Sequence, residues 1–423
     1  MRTFITLFTI AFWLSVPTLA RAENYLLVPD AVFDGLGQDL HQGWGVLVEG
    51  GVITAAGPLK DIPAASARRI DLPGATLLPG LIDAHSHILL HPYNETPWND
   101  QVLKESRAER VVRATRHLER SLFAGFTTLR DLGTEGAGYA DVGLRTALEK
   151  HLIPGPRLLV AGRAIVATGS YAPKGFAPHV KVPLGAEPAD GADLVRIVRS
   201  QIGMGIDWVK VYADYRWGPD GEARPTFSLA ELRTIVRVAA DSGRPTVAHA
   251  ATAEGMRRAT LAGVETIEHG DGGTLEVFRL MAKEGVAWCP TLGAGEAIEF
   301  FGGWSKGSDD PPARIVKKKA TFKLALKAGV TICTGSDVGV FPHGDSAWEL
   351  ELMVEYGMTP AEVLISATSV NARLLHLEDS VGAVKKGLRA DLVAVKGNPL
   401  EDISALRNVV FVMQEGRLVR QPE

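Results

Sequence analysis

The stretch Leu81-Ile82-Asp83-Ala84-His85-Ser86-His87 decides how this chain is read. On an extended strand, alternate residues point to the same face, so His85 and His87 look the same way. The preceding run Ala75-Thr76-Leu77-Leu78-Pro79-Gly80 is apolar and ends in a Pro-Gly break, which predicts a buried strand. Two unpaired imidazoles in such a place are costly. Two imidazoles at the carboxyl end of the strand can grip one metal ion. The bland alternative is two neighbouring core or surface histidines, and this stretch alone leaves both open.

Eight short apolar segments recur from residue 80 onward, at 80–89, 126–132, 157–167, 208–213, 245–250, 264–270, 287–292 and 330–337, each ending near a polar or Gly-rich stretch. Most are separated by helical patterns. Ser228-Leu229-Ala230-Glu231 is a capping box, with Leu232, Ile235, Val236 and Ala239 on one face after it and Gly243 as stop. Thr359-Pro360-Ala361-Glu362 repeats the start signal, with Pro at the first helical position. Repeated strand-helix alternation predicts an α/β fold, a (β/α)8 TIM barrel over residues 80–380, with chemistry at the carboxyl ends of the strands.

The flanks differ. Residues 23–79 and 381–423 carry short β patterns punctuated by Gly, such as Gly45-Val46-Leu47-Val48-Glu49 and Asp391-Leu392-Val393-Ala394-Val395. Neither is long enough for a good core of its own, so the two are expected to join as one small β-sandwich built from both termini.

Residues 1–22 read as a signal peptide: Arg2, an apolar run from Phe4 to Leu19, then Ala20-Arg21-Ala22 as a small-x-small cleavage site. The runner-up is an uncleaved anchor. Either reading puts the protein outside the cytoplasm, periplasmic or secreted, with no membrane attachment once the signal is cleaved. The formal charge of −4 over 423 residues is mild and argues against nucleic acid as partner. Only Cys289 and Cys333 occur, each inside an apolar run. Two cysteines do not make a framework, and buried free thiols are expected.

Strand ends offer further ligands: Lys210 in Trp208-Val209-Lys210-Val211-Tyr212, His249 in Val247-Ala248-His249-Ala250, His269 in Ile267-Glu268-His269-Gly270 and Asp337 in Gly335-Ser336-Asp337. Singly, each has an ordinary structural reading: a solvated lysine, a satisfied core histidine, a strand-end cap. Glu268 precedes His269, so strand alternation sends it to the opposite side as a packing residue.

With these residues in view, and with Pro79-Gly80-Leu81-Ile82-Asp83-Ala84-His85-Ser86-His87 and Gly125-Phe126-Thr127-Thr128-Leu129-Arg130-Asp131 beside them, the chain resembles the amidohydrolase superfamily. More narrowly, it resembles the imidazolonepropionase-like branch that includes Xaa-Pro and Xaa-Arg dipeptidases. The resemblance covers essentially all of the chain after residue 22, and a sandwich made from both termini is part of it. It implies two divalent metal ions, zinc by default, bridged by a hydroxide and by a carbamate on Lys210. His85, His87 and Asp337 would hold one ion, and His249 and His269 the other. The chemistry fits: a protonated lysine repels a cation, whereas its carbamate is an anionic bridging ligand. Two metals bring a bridging water's pKa near neutrality, and Asp337 would be the catalytic proton carrier to the departing amine.

The activity implied is hydrolysis of a C–N amide bond in a small-molecule substrate, a dipeptide or N-acyl amino acid, by a homo-oligomer. The alternatives are a cyclic-amide, lactone or aryl-amide hydrolase, or, in another class, a non-catalytic scaffold relative. Substrate-binding candidates are Tyr212, in phase with Lys210, then Tyr215 and Arg216 on the following loop, and His343 after Asp337. Arg216 would clamp a carboxylate in bidentate fashion. The stretch His91-Pro92-Tyr93-Asn94-Glu95 follows the first strand as a candidate for the mouth. One departure stands out: dipeptidases of this branch often carry Gly-Gly-His after the third strand, and here the chain reads Ala167-Thr168-Gly169-Ser170-Tyr171-Ala172-Pro173. Either Tyr171 or Lys174 replaces that histidine, or the substrate class has moved.

Overall fold

The computed structural model describes residues 23–64 and 66–422. The segment read as a signal peptide lies outside them. Among the described residues, no helix is long and apolar enough to cross a membrane.

The first strands after residue 80 are Leu81–Ser86, Phe126–Asp131 and Arg157–Val160, paired in parallel. A second parallel run joins Val209–Tyr212, Thr246–Ala250, Thr266–His269 and Ala287–Cys289. The backbone N–H of Asp207 donates to Val160 O at 2.8 Å, linking the two runs. The segment 157–167 is broken at Gly162, whose φ of 65° no strand holds, and resumes as Ile165–Val166. The segment 330–337 is irregular rather than a continuous strand. Its Cys333 N–H donates to Trp288 O, and its Thr334 carbonyl accepts from Ala84 N–H, both at 2.9 Å. Gly335 permits that approach, since a Cβ there would stand 2.8 Å from His85 Cβ.

Both expected capping boxes are formed, starting the helices Leu229–Ala240 and Pro360–Ile365. In the first, Leu232, Ile235 and Ala239 are fully buried. The helices cover the strands through one large apolar core that includes Phe126, Val211, Ile267 and Phe278.

The termini pair as one continuous hydrogen-bonded sheet of eight strands. Strand Arg68–Pro79 lies at its centre, parallel to Tyr25–Phe33 on one side and antiparallel to Leu392–Lys396 on the other. This sheet has its own apolar core around Leu27, Val46, Leu77, Leu392 and Phe411.

The cysteines depart from the sequence expectation. Cys289 and Cys333 form a disulfide, with Cα atoms 4.8 Å apart. Trp288 and Ile332 pair across the seam between the seventh and eighth segments, which brings the next residue of each face to face.

Candidate metal centre and substrate cavity

Strand ends put His85, His87, Lys210, His249, His269 and Asp337 around one point. Nε2 of His85 and Nε2 of His87 are 3.4 Å apart, and Asp337 Oδ1 lies 3.5 and 3.4 Å from them. His269 and Asp337 approach to 4.0 Å, and the His249 and His269 ring centres are 4.5 Å apart. Ligand atoms of His85, His269 and Asp337 all lie within 4.8 Å of one another. Lys210 is 1 % exposed, and its charge lowers the basicity of all four histidines.

The tautomers decide what this cluster accepts. His87 Nδ1 donates to the Gly133 carbonyl at 2.8 Å, and His85 Nδ1 donates to Glu268 Oε2 at 2.7 Å. A carbonyl can only accept, so Nδ1 of His87 carries the proton and Nε2 keeps its lone pair. Burial pushes His85 well down, His87 down to about 4 and His249 down to about 3, so the rings are neutral at pH 7. Two imidazole lone pairs and an oxygen of the Asp337 carboxyl group therefore meet, with no ring proton between them. Such a donor set fits a divalent cation with N and O ligands. Burial also brings Lys210 down to about 8, which frees its amine at mild pH, and pushes Asp337 up to about 8.

Glu268 corrects the alternation argument. It is fully buried and faces inward, bonded to His85 and accepting from Arg130 at 3.2 Å. His269 has φ of 70°, so the strand turns before alternation can separate the two residues. Arg130, 0 % exposed and 4.4 Å above the Trp208 ring, also donates to Ala84 O at 2.7 Å. A chain Arg130–Glu268–His85 thus fixes the ring that carries the first lone pair. Arg130 lay in a quoted motif, but no spacing rule connects it to Glu268.

Above the cluster opens a cavity of about 970 Å³. Tyr171, Tyr212, Tyr215 and Arg216 line it, with Tyr93 from the stretch after the first strand, and with Glu135 and Trp98, which the sequence reading missed. Tyr212 stacks on His249 at 4.5 Å and 13°. Lys174 is exposed and reaches only the Arg216 carbonyl, at 3.4 Å.

Two histidines are elsewhere. His343 lies outside the cavity, 5 % exposed, stacked on His117 at 4.0 Å and donating to Leu90 O at 3.1 Å. The chain after Asp337 runs against the loop that follows the first strand, with Val338 O accepting from His87 N–H and Val340 O from Tyr93 N–H. His91 is likewise buried, held between Glu95 and Glu105.

Seven non-glycine residues have positive φ among those described, and four of them line this cavity: Glu135, His269, Thr291 and Asp337. Such backbone is held at a cost and concentrates at functional sites.

The amidohydrolase family model matches residues 76–419, most of the chain and every residue of the cluster. This chain belongs to the amidohydrolase family. Within it, the chain is 30% identical over 451 residues to ochratoxinase from Aspergillus niger, with 97% of this chain and 89% of that protein covered. It is 26% identical over 379 residues to imidazolonepropionase from Pseudomonas aeruginosa, covering 82% of this chain and 86% of that one. A solved Xaa-Pro dipeptidase with methionine bound in its active site superposes with a TM-score of 0.84 at 32% identity, covering 94% of this chain and 99% of that one. Family membership carries a TIM-barrel fold with an additional domain, and it supports a hydrolase acting on amide bonds.

Proposed function

We propose that this amidohydrolase is an exported enzyme that cleaves the amide bond of dipeptides or N-acyl amino acids with two divalent metal ions, zinc by default. The observation that carries the reading is the convergence of neutral imidazole lone pairs and the Asp337 carboxylate at the floor of a cavity. In this reading the eight segments close a barrel over residues 80–380, and residues 23–79 and 381–423 form the second domain. His85, His87 and Asp337 would hold one ion and His249 and His269 the other, with Lys210, as its carbamate, supplying an anionic ligand to the pair. When bound, the ions make a water acidic enough to act as nucleophile near pH 7 and polarise the scissile carbonyl.

The protein's own groups do the rest. Glu268 keeps the proton on His85 Nδ1, so that Nε2 stays a donor. Asp337 takes a proton at a carboxylate oxygen and releases it to the departing amine nitrogen. Tyr212 and Tyr215 flank the bound amide, and Arg216, exposed at the rim, takes the substrate carboxylate.

The aromatic lining of Tyr93, Trp98, Tyr171, Tyr212 and Tyr215 favours a second reading, an aryl-amide substrate. Export is supported by the Cys289–Cys333 disulfide, a bond that persists in oxidising compartments.

A panel of dipeptides, N-acyl amino acids and aryl amides, given to metal-loaded and to chelated protein, tests this function. Turnover of the first two groups by loaded protein alone is expected. Turnover of none, or equal turnover after chelation, removes the proposal.

A further inference from the structure

Glu135 is a buried carboxylate that the chemistry above does not use. It is 2 % exposed and lines the same cavity as Asp337. Its Oε2 accepts from Tyr171 Oη at 2.5 Å and from Trp98 Nε1 at 2.9 Å. Its Oε1 has no hydrogen-bond partner among the described residues. Both donors to Oε2 are neutral. The nearby guanidinium of Arg110 gives its hydrogen bonds to the backbone carbonyls of Leu89, Thr134 and Glu135 instead of to the carboxylate. A carboxylate left buried without a cation is costly, and proteins resolve such cost by pairing the charge.

Its position is fixed with care. Glu135 has φ of 47°, which a non-glycine residue adopts only under constraint. Arg110 supplies that constraint by clamping the loop carbonyls. Gly133, with φ of 144°, lies between Glu135 and the metal cluster. A Cβ there would stand 3.4 Å from Glu135 Oε1 and 3.6 Å from His87 Cε1. Glu135 Oε1 and the His87 ring therefore stand on either side of Gly133, at the edge of the cavity that both residues line. The cations that line the cavity at exposed positions, Arg216, Arg314 and Lys317, are at its rim.

We propose that Glu135 Oε1 is the subsite for the substrate's α-ammonium group, so that this enzyme prefers dipeptides with a free amino terminus over N-acyl amino acids. This rests on the amide-hydrolase reading and chooses within it. An ammonium bonded to the carbonyl-bearing carbon must sit near the reacting amide, where Glu135 is. A carboxylate one residue further along falls at the rim, near Arg216. The bond meets the cation with a charge-assisted acceptor in a dry place, where such contacts are strongest. Tyr171, standing where the branch often has a histidine, holds the carboxylate in place.

The test uses L-methionyl-L-proline and its N-acetyl form on metal-loaded protein. Wild type should favour the free amine by about tenfold or more in kcat/KM, the scale of one charged hydrogen bond. Glu135→Gln should erase that preference through KM and leave the N-acetyl form within about twofold. Glu135→Asp, which keeps the charge, should restore part of it. Equal losses on both forms, or a wild type that favours the acetylated one, overturns the subsite. If neither compound is hydrolysed, the dipeptidase reading fails and the subsite is still decided by calorimetry. L-Methionine should then bind wild type more tightly than N-acetyl-L-methionine does, and Glu135→Gln should remove the difference. Equal binding of the two to wild type overturns it.

Discussion

The terminal sheet and the strand-end cavity bury polar groups in opposite ways. In the sheet, Asp391 is buried but answered: Arg157 donates to one oxygen at 3.0 Å, and the Glu415 N–H to the other at 2.7 Å. Thr76, also buried there, donates to Gly397 O at 2.7 Å, and around them Leu27, Val46 and Phe411 are fully buried. At the cavity floor, His85 Nε2, His87 Nε2 and an Asp337 carboxyl oxygen converge to within 3.5 Å of one another with no cationic partner between them. Glu135 keeps an oxygen without a partner. Among the described residues, every buried side chain with an unpartnered polar atom lies between Ser121 and Asn371, and none in the terminal strands. One region closes its hydrogen bonds for stability. The other leaves its acceptors converging, which is what a cation or a substrate requires.

Substitutions should separate the two regions. Phe411→Ala should cost about 3–5 kcal/mol of stability, measured by denaturant unfolding, because it empties a fully buried site. Activity per folded molecule should stay normal. A matching loss of kcat in folded protein would mean the sheet takes part in the chemistry.

Asp337→Asn should do the reverse. A drop in kcat of at least about a hundredfold is expected, the scale of positioned acid–base work. Stability should hold or rise, since burial pushes the Asp337 acid up and its charged form is disfavoured there. Near-normal kcat would take Asp337 out of the proton transfer.

Arg216→Ala addresses the rim. It should raise KM about tenfold for substrates with a free carboxylate and spare their amides, as loss of one charged hydrogen bond would. Equal effects on acids and amides would return Arg216 to a solvated loop residue.

The smallest effect concerns pH. Burial holds His117 down to about 4, against His343 and donating to Ile88 O at 2.9 Å. Its folded value lies below the unfolded one near 6.5, so the unfolded chain takes the proton first. The stability from neutral His117 is present above pH 6.5 and is lost as pH falls toward 4. Between pH 7 and 5.5 the loss should be about 1 kcal/mol, and His117→Gln should flatten it. An unchanged slope would show that other groups set the acid limit.

Much of this was legible because it is periodic. Alternation brought His85 and His87 to one face, and the two capping boxes were readable from three-residue spacing. What escaped has no local period. Glu268 faces the cluster because His269 leaves extended backbone, and no residue type announces a φ of 70° in advance. The disulfide depends on a strand end and an irregular segment meeting 44 residues apart in sequence. Glu135 sits on a loop, where its direction comes from Arg110 contacts to the backbone. His343 looked accessible as a neighbour of Asp337 and is buried by a turn of the chain.

Metal analysis of the purified protein, wild type beside Lys210→Ala, tests the central claim most directly. The account predicts about two divalent ions per chain in wild type, one or fewer in the variant, and amide hydrolysis that a chelator abolishes and zinc restores. Fewer than one ion in wild type, with hydrolysis indifferent to the chelator, would contradict it.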